Sequence, residues 1–139
     1  METPSRDNLI AAAIRATDHA CAPYSGLRVG AALATSSGKV ITGANVESVS
    51  YGLTCCAERI ALFKALTDGE RDFEAMALVS PASPAFTPCG ACRQLLVEYA
   101  ANAVLWCADS RNPSVIKSFT VKELMPEALI SLPNHSKSS

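Results

Sequence analysis

The segment TCCAERIAL at residues 54–62 places two adjacent cysteines directly before Ala57, Glu58 and Arg59. The pattern from Cys56 onward predicts a helix, so both cysteines lie at or just before its first turn. The first N–H groups of a helix have no intrahelical partners and carry partial positive charge, which favours thiolate over thiol. Adjacent residues at a helix start point in different directions. We therefore expect only one of the two thiols to hold a given ion.

A second cysteine motif follows about thirty residues later. It is Pro88-Cys89-Gly90-Ala91-Cys92, again at the start of a predicted helix. Three thiolates from two helix starts could close on one zinc ion and leave the fourth position to water, as catalytic zinc sites do. A redox pair or a structural zinc site are the alternatives for an isolated Cys-x-x-Cys. His19, in the first predicted helix, and His135, in the C-terminal tail, are poor candidates for a fourth ligand.

Composition sets the class of protein. The chain has 139 residues, of which 49% are hydrophobic and 18% charged, which predicts a single domain over 1–139 with its core over about 7–130 and flexible ends at 1–6 and 131–139. A net charge of −1 gives no reason to expect a nucleic-acid partner. No apolar run reaches membrane-spanning length and no signal-peptide core is present, so we expect a cytoplasmic protein without a membrane partner. Six cysteines in that setting favour metal binding or catalysis over disulfides.

The predicted elements follow the order helix, two strands, then alternating helix and strand. This order predicts an α/β fold, a three-layer α/β/α sandwich around a mixed sheet of about five strands. Asp7 is the expected N-cap of the first helix and Pro23 its stop, and Gly69 is the expected end of the second helix. The expected helices cover residues 7–22, 56–69, 89–100 and 121–126, and the expected strands 27–35, 39–46, 73–80, 103–108 and 115–119.

The combination of the two cysteine motifs matches the zinc-deaminase signature, in which a glutamate stands two residues after the first ligand and Pro-Cys-x-x-Cys follows. In its three-cysteine form the chain resembles the small cytidine deaminases. The resemblance covers roughly residues 9–130 and includes the segments YSGLRVGAAL, GANVESVSYGL, CCAERIALFKAL, TPCGACRQLL and ELMPEAL. It implies one Zn²⁺ per subunit, held by Cys56, Cys89 and Cys92, and a homotetramer with shared active sites.

The resemblance also implies the roles of Glu58 and Arg59. Glu58 would take a proton from the attacking water, pass it to the ring nitrogen and later protonate the departing amine, while zinc lowers the pKa of that water. Arg59 would hydrogen-bond the ligand sulfurs and offset their negative charge. The alternatives are an exposed glutamate that stabilises the helix dipole and an ordinary surface arginine.

The substrate contacts are likewise implied by the resemblance. Asn45 and Glu47 would hold the ribose hydroxyls. Residues two positions apart on a strand point to the same face, which suits the binding of a diol. The backbone N–H of Ala57 would hold the ring carbonyl, and the Thr87 carbonyl would face the exocyclic amine. Tyr51 would reach the sugar bound in a neighbouring subunit.

Two leucines depart from the family pattern, which has phenylalanine at the positions of Leu27 and Leu129. Both family aromatics approach the pyrimidine, the second from another subunit. Each aromatic contact adds about 0.5–1.5 kcal/mol beyond burial. One hypothesis is that the pocket accepts cytidines substituted on N4 or on ring carbon 5; the other is that the leucines repack around ordinary cytidine.

The expected activity is hydrolytic deamination of cytidine and deoxycytidine to uridine and deoxyuridine with release of ammonia, a step of pyrimidine salvage. A deaminase of another aminopyrimidine nucleoside, such as a blasticidin-like antibiotic, is the alternative. A metal-stabilised structural module is disfavoured, because it needs neither Glu58 nor an open three-ligand site. Cys21, Cys55 and Cys107 are expected to be small packing residues.

Overall fold

The structure, a computed structural model, describes residues 3–81, 85 and 87–132. Within these residues the chain forms three helices and five strands in one sheet with the order β2-β1-β3-β4-β5. The elements are α1 (Arg6–Ala16), β1 (Gly30–Thr35), β2 (Val40–Ala44), α2 (Ala57–Thr67), β3 (Phe73–Ser80), α3 (Gly90–Tyr99), β4 (Val104–Asp109) and β5 (Asn112–Thr120). Short 3₁₀ turns lie at Thr17–His19, Tyr51–Leu53 and Lys122–Leu124.

The sheet is mixed, as the sequence predicts. β1 pairs antiparallel with both β2 and β3, β3 runs parallel to β4, and β4 forms an antiparallel pair with β5. The parallel step from β3 to β4 needs a crossover, which α3 provides.

The two faces of the sheet carry different side chains. Along β1, Ala31 and Leu33 belong to the core under α2 and α3, whereas Ala32 and Ala34 belong to the core under α1. This alternation follows from the two-residue period of a strand. Helices therefore cover both faces, and the predicted three-layer α/β/α sandwich is confirmed.

The first helix differs from its prediction at both ends. Ser5, not Asp7, is the N-cap, and its hydroxyl accepts a hydrogen bond from the Asn8 N–H at 3.2 Å. The helix ends at Ala16 because Thr17 donates its hydroxyl to the carbonyl of Ile14 at 2.6 Å and the chain tightens into a 3₁₀ turn. The predicted stop at Pro23 is therefore wrong.

The residues after this turn run beside another segment instead of continuing the helix. Cys21 pairs with Val46 in an isolated bridge and is exposed, so its prediction as a packing residue is wrong. Cys107, by contrast, is fully buried in the core under α2 and α3, as predicted.

Three further boundaries bear on the sequence predictions. Gly69 ends α2 in the left-handed conformation at φ 92°, as predicted. β1 begins at Gly30 instead of Leu27, because the side chain of Asn45 takes the place of a strand neighbour for residues 27–29. The predicted closing helix at 121–126 is only the 3₁₀ turn Lys122–Leu124. Among the described residues, no helix has the length and apolar character needed to cross a membrane.

Gly43 of β2 lies against the first turns of α2. A Cβ at this position would lie 2.5 Å from the backbone nitrogen of Ala61 and 2.6 Å from the carbonyl oxygen of Ala57. Gly43→Ala is therefore expected to push α2 away from the sheet and to lower the free energy of unfolding by about 1–3 kcal/mol. Denaturant unfolding measures this. Gly52→Ala is the control, since a Cβ there meets nothing within 4 Å; equal stability of the two variants would contradict the prediction.

Candidate active site

Two helix starts meet at one edge of the sheet. β2 and β3 are both antiparallel to β1 and so run in the same direction, which places their carboxyl ends at the same edge. Gly30 at the start of β1 pairs with Ala44 on one side and Val79 on the other, which fixes this edge. α2 follows β2 and α3 follows β3. The site therefore lies where both helices begin.

Three cysteine sulfurs lie together at these helix starts. Cys56 is the N-cap of α2, Cys89 is the N-cap of α3, and Cys92 lies in the first turn of α3. The Sγ atoms of Cys56 and Cys89 are 3.9 Å apart, those of Cys89 and Cys92 are 3.5 Å apart, and all three lie within 4.8 Å of one another. Tetrahedral zinc with Zn–S bonds of about 2.3 Å places its ligand sulfurs about 3.8 Å apart. These residues fit zinc and leave one ligand position open.

The electrostatics of the cluster favour an ionised thiol at Cys56. Interaction with the Cys92 thiol, and then with the Arg59 guanidinium, lowers the pKa of Cys56 to about 5 against the opposing effect of burial. The same interaction with Cys56, together with burial, raises the pKa of the Cys92 thiol. Of these two thiols, Cys56 is therefore the one favoured as thiolate.

Arg59 contacts the cluster directly. Its Nη2 lies 3.3 Å from the Sγ of Cys56, and this hydrogen bond raises the pKa of the guanidinium. Its Nε–H is buried and has no acceptor among the described residues. The Nε–H of Arg59 is therefore available to donate a hydrogen bond to the cysteine thiolates when they bind a cation.

Glu58 lies beside the cluster in the first turn of α2. It is only 4% exposed, which rules out the exposed, dipole-stabilising glutamate of the alternative interpretation. Burial raises the pKa of its carboxyl to about 7. A buried carboxyl group next to a metal-ligand set is the arrangement of a proton-transfer residue.

A cavity of about 230 Å³ opens beside the cluster. Glu58 lines it together with three of the predicted substrate residues, namely Asn45, Ala57 and Thr87. The other lining residues are Val29, Thr54, Cys55, Cys56 and Cys89. Cys55 thus contributes to the cavity wall, whereas its thiol is not part of the three-sulfur cluster.

A second depression of about 400 Å³ adjoins this cavity. Glu47 and Tyr51 line it with Tyr24, Ser25, Ser48 and Thr54, and Thr54 lines both spaces. The structure therefore places Asn45 and Glu47, which the sequence assigns to one ribose, in adjoining spaces. Tyr51 is 90% exposed and free to contact another molecule.

Both candidate ribose residues also hold the loop that follows Pro23. The side chain of Asn45 accepts from the Val29 N–H at 2.9 Å and donates to the Leu27 carbonyl at 2.8 Å. The Glu47 carboxylate accepts from the Ser25 hydroxyl at 2.5 Å and from the backbone N–H groups of Tyr24 and Ser25. The hydrogen bond from the Ser25 hydroxyl lowers the pKa of Glu47.

The two leucines of interest lie outside both spaces in this single chain. Leu27 is 46% exposed and Leu129 is 65% exposed. Ser25 and Thr54, by contrast, belong to the site although the sequence interpretation did not select them. The hydroxyl of Ser25 in YSGL and the position of Thr54 directly before Cys55 were the available signals.

Comparison with known proteins agrees with this geometry. The family model described as the cytidine and deoxycytidylate deaminase zinc-binding region matches residues 4–108. The chain therefore belongs to the zinc-binding cytidine and deoxycytidylate deaminases, and the three cysteines of its cluster all fall within the matched region. Zinc is accordingly the cofactor, and Cys56, Cys89 and Cys92 are the residues that fit it.

Individual proteins to which the chain is similar are also named as deaminases. A cytidine deaminase from Halalkalibacterium halodurans is 47% identical over 124 residues, covering 88% of this chain and 92% of the relative. The crystal structure of cytidine deaminase from Burkholderia pseudomallei matches with a TM-score of 0.87 and 41% identity, covering 91% of this chain and 100% of that chain. A blasticidin-S deaminase from Bacillus cereus is more distant, at 33% identity over 106 residues, or 70% of this chain and 74% of the relative.

Proposed function

We propose that the protein is a cytidine deaminase that converts cytidine and deoxycytidine to uridine and deoxyuridine and releases ammonia. The observation that carries the proposal is the buried carboxyl of Glu58, which shares one cavity with Cys56 and Cys89 of the zinc-ligand cluster. A structural zinc site has no use for a buried proton-transfer group or for an open ligand position. The 47% identity to a cytidine deaminase supports cytidine over a blasticidin-like substrate.

The residues divide the reaction between them. Zinc, when bound, lowers the pKa of the water that attacks the amino-bearing carbon. Glu58 takes a proton from this water and gives it to the neighbouring ring nitrogen. It then transfers the second proton to the amino group, so that the C–N bond breaks as the C=O bond is completed and ammonia leaves. Positioned proton transfer of this kind contributes about 10²–10⁴-fold to the rate.

Other residues hold the nucleoside in place. Ala57 and Thr87 line the same cavity as Glu58. The backbone N–H of Ala57 would donate to the ring carbonyl, and the carbonyl of Thr87 would accept from the exocyclic amine. Asn45 and Glu47 would bind the ribose hydroxyls across the junction of the two spaces. Because both side chains already hold the loop through Leu27 and Ser25, sugar binding and the position of this loop are coupled.

The active assembly is proposed to be a homotetramer with shared sites. Several large apolar side chains are exposed in the single chain, in the segment that includes Tyr51 and near the C-terminal end of the described residues, which supports their burial against other subunits. They include Val49, Tyr51, Leu53, Leu129, Ile130 and Leu132. A free nucleoside substrate fits a role in cytoplasmic pyrimidine salvage, with no nucleic-acid partner.

A wider substrate range is a second candidate, which the leucines at positions 27 and 129 support because the family pattern has phenylalanine at both positions. Leu27→Phe combined with Leu129→Phe restores two rings that, in a tetramer with shared sites, would approach the base and leave less room for a substituent on N4. We expect the ratio of kcat/KM for cytidine over N4-alkylcytidine to rise about fivefold or more. Val115→Phe is the control, since Val115 is 48% exposed on the edge strand β5 and is not among the side chains assigned to the subunit interfaces. An unchanged ratio in the double variant would leave the leucines without a role in specificity.

A substrate panel tests the main proposal. Zinc-loaded protein is assayed side by side with cytidine, deoxycytidine, N4- and 5-substituted cytidines and blasticidin S. The proposal predicts that cytidine and deoxycytidine have kcat/KM well above blasticidin S. The reverse order would assign the protein to the antibiotic deaminases.

A further inference from the structure

Arg93, which directly follows the ligand Cys92, makes three hydrogen bonds with one guanidinium. Its Nε donates to the carbonyl of Pro88 at 2.8 Å, its Nη2 to the hydroxyl of Thr87 at 2.7 Å, and its Nη1 to the carbonyl of Leu124 at 3.1 Å. The planar fork of arginine suits this arrangement, whereas the ammonium of lysine reproduces neither its reach nor its geometry. The side chain thus joins two segments that are distant in sequence.

The first segment is part of the cavity wall. Thr87 and Pro88 are the two residues before the ligand Cys89, and Thr87 itself lines the cavity with Glu58. Their hydrogen bonds to Arg93 set the direction from which the chain enters α3. A shift of the backbone at residues 87–89 would move both the Thr87 carbonyl and the Cys89 sulfur.

The second segment is the C-terminal one, Val121–Leu129. Leu124 accepts from Arg93, and the next residue of α3, Gln94, donates its amide to the carbonyl of Leu129 at 2.7 Å. Two consecutive side chains of the metal-binding helix therefore hold this segment at two points. Leu124, Met125 and Ala128 also pack against the core under α2 and α3.

We propose that Arg93 is a positioning residue for the reaction: it holds Thr87 and Cys89 in register with the zinc cluster and links them to the C-terminal segment. The inference rests on the proposed function, because it assigns to Thr87 the contact with the substrate amine. Among the described residues, the guanidinium of Arg93 donates to Thr87, Pro88 and Leu124 and makes no hydrogen bond to the three sulfurs. It acts through the backbone of residues 87–89.

The test compares zinc-loaded Arg93→Lys with the unaltered protein in two assays. In the first, kcat and KM for cytidine are measured separately; we expect kcat/KM to fall tenfold or more, with most of the loss in kcat, since small misplacements of reacting groups cost large factors in rate. In the second, the rate of zinc release to a chromogenic chelator is followed without substrate. We expect release to be several-fold faster.

Arg71→Lys is the matched control. The guanidinium of Arg71 donates to the carbonyls of Leu66 and Glu70 at the far end of α2, so it makes the same kind of contact away from the site. Its variant should keep both kcat/KM and zinc release at the values of the unaltered protein. If Arg93→Lys behaves like Arg71→Lys in both assays, the proposal is overturned.

A milder variant, Thr87→Val, tests the proposal even if Arg93→Lys folds poorly. Thr87→Val removes only the hydroxyl that accepts from the guanidinium and leaves the backbone carbonyl of residue 87 in place. We expect a smaller loss of kcat/KM and a smaller increase in the rate of zinc release than for Arg93→Lys. When the two substitutions are combined, the losses of kcat/KM should be less than multiplicative, because both substitutions act on one hydrogen bond. Fully multiplicative losses would contradict the proposal. If the unaltered protein does not deaminate cytidine, the proposed function fails. The rate of zinc release from Arg93→Lys, compared with that of the unaltered protein, still tests whether Arg93 positions the ligand Cys89.

Discussion

Glu58→Gln is expected to lower kcat for cytidine by about 10²–10⁴-fold or more while zinc content stays at the level of the unaltered protein. The amide matches the carboxyl in shape but cannot accept and return a proton. Glu58 is buried beside the sulfur cluster. Glutamine occupies the same space as the glutamate side chain and removes the cost of burying a charge. Thermal stability should therefore not fall.

Glu123→Gln provides the control for this prediction. The Glu123 carboxylate accepts from the backbone N–H of Thr120 at 2.7 Å, outside the cavity. Its variant should retain full activity. If Glu58→Gln retained more than a tenth of kcat, another group would have to transfer the protons.

Cys92→Ala is expected to abolish both stoichiometric zinc binding and activity. Cys92 is one of three sulfurs within 4.8 Å of one another, and two thiolates do not complete a zinc site. Metal analysis of the purified variant should give well below one zinc per chain, and addition of zinc to the assay should not restore turnover.

Cys107→Ala separates the loss of a ligand from the loss of a buried sulfur. Cys107 is as fully buried as Cys92 but belongs to the core and not to the sulfur cluster. Its variant should lose about 1 kcal/mol of stability and keep both zinc and activity. Equal loss of zinc in the two variants would remove the basis for naming Cys92 a ligand.

The part of the site that sequence predicts best is the part set by short motifs. Cys56 and the Cys89–Cys92 pair come together because each motif stands at a helix start and both helices begin at one edge of the sheet. The question raised by the adjacent cysteines is settled geometrically as well. The sulfur of Cys56 lies in the cluster, whereas Cys55 lines the cavity without joining it. The mixed sheet and its three layers follow from the order of the helices and strands along the chain.

What sequence could not predict depends on contacts between distant segments. The 3₁₀ turn that follows α1 is held by Arg28, whose Nη1 lies 3.3 Å from each of the carbonyls of Thr17 and Asp18. The link from Arg93 to Leu124 spans 31 residues, and no local pattern encodes it. The roles assigned to Asn45 and Glu47 stay predictions, since both side chains are engaged with the loop after Pro23. Such hydrogen bonds are visible only once the chain is folded.

The most direct test of the account is a single preparation in which bound zinc and cytidine turnover are both measured. The account predicts one zinc per chain and conversion of cytidine to uridine with one ammonia released for each uridine formed. Removal of the metal by a chelator should stop the reaction, and restoring zinc should recover it. Protein that carries one zinc per chain and forms no uridine from cytidine would contradict the account.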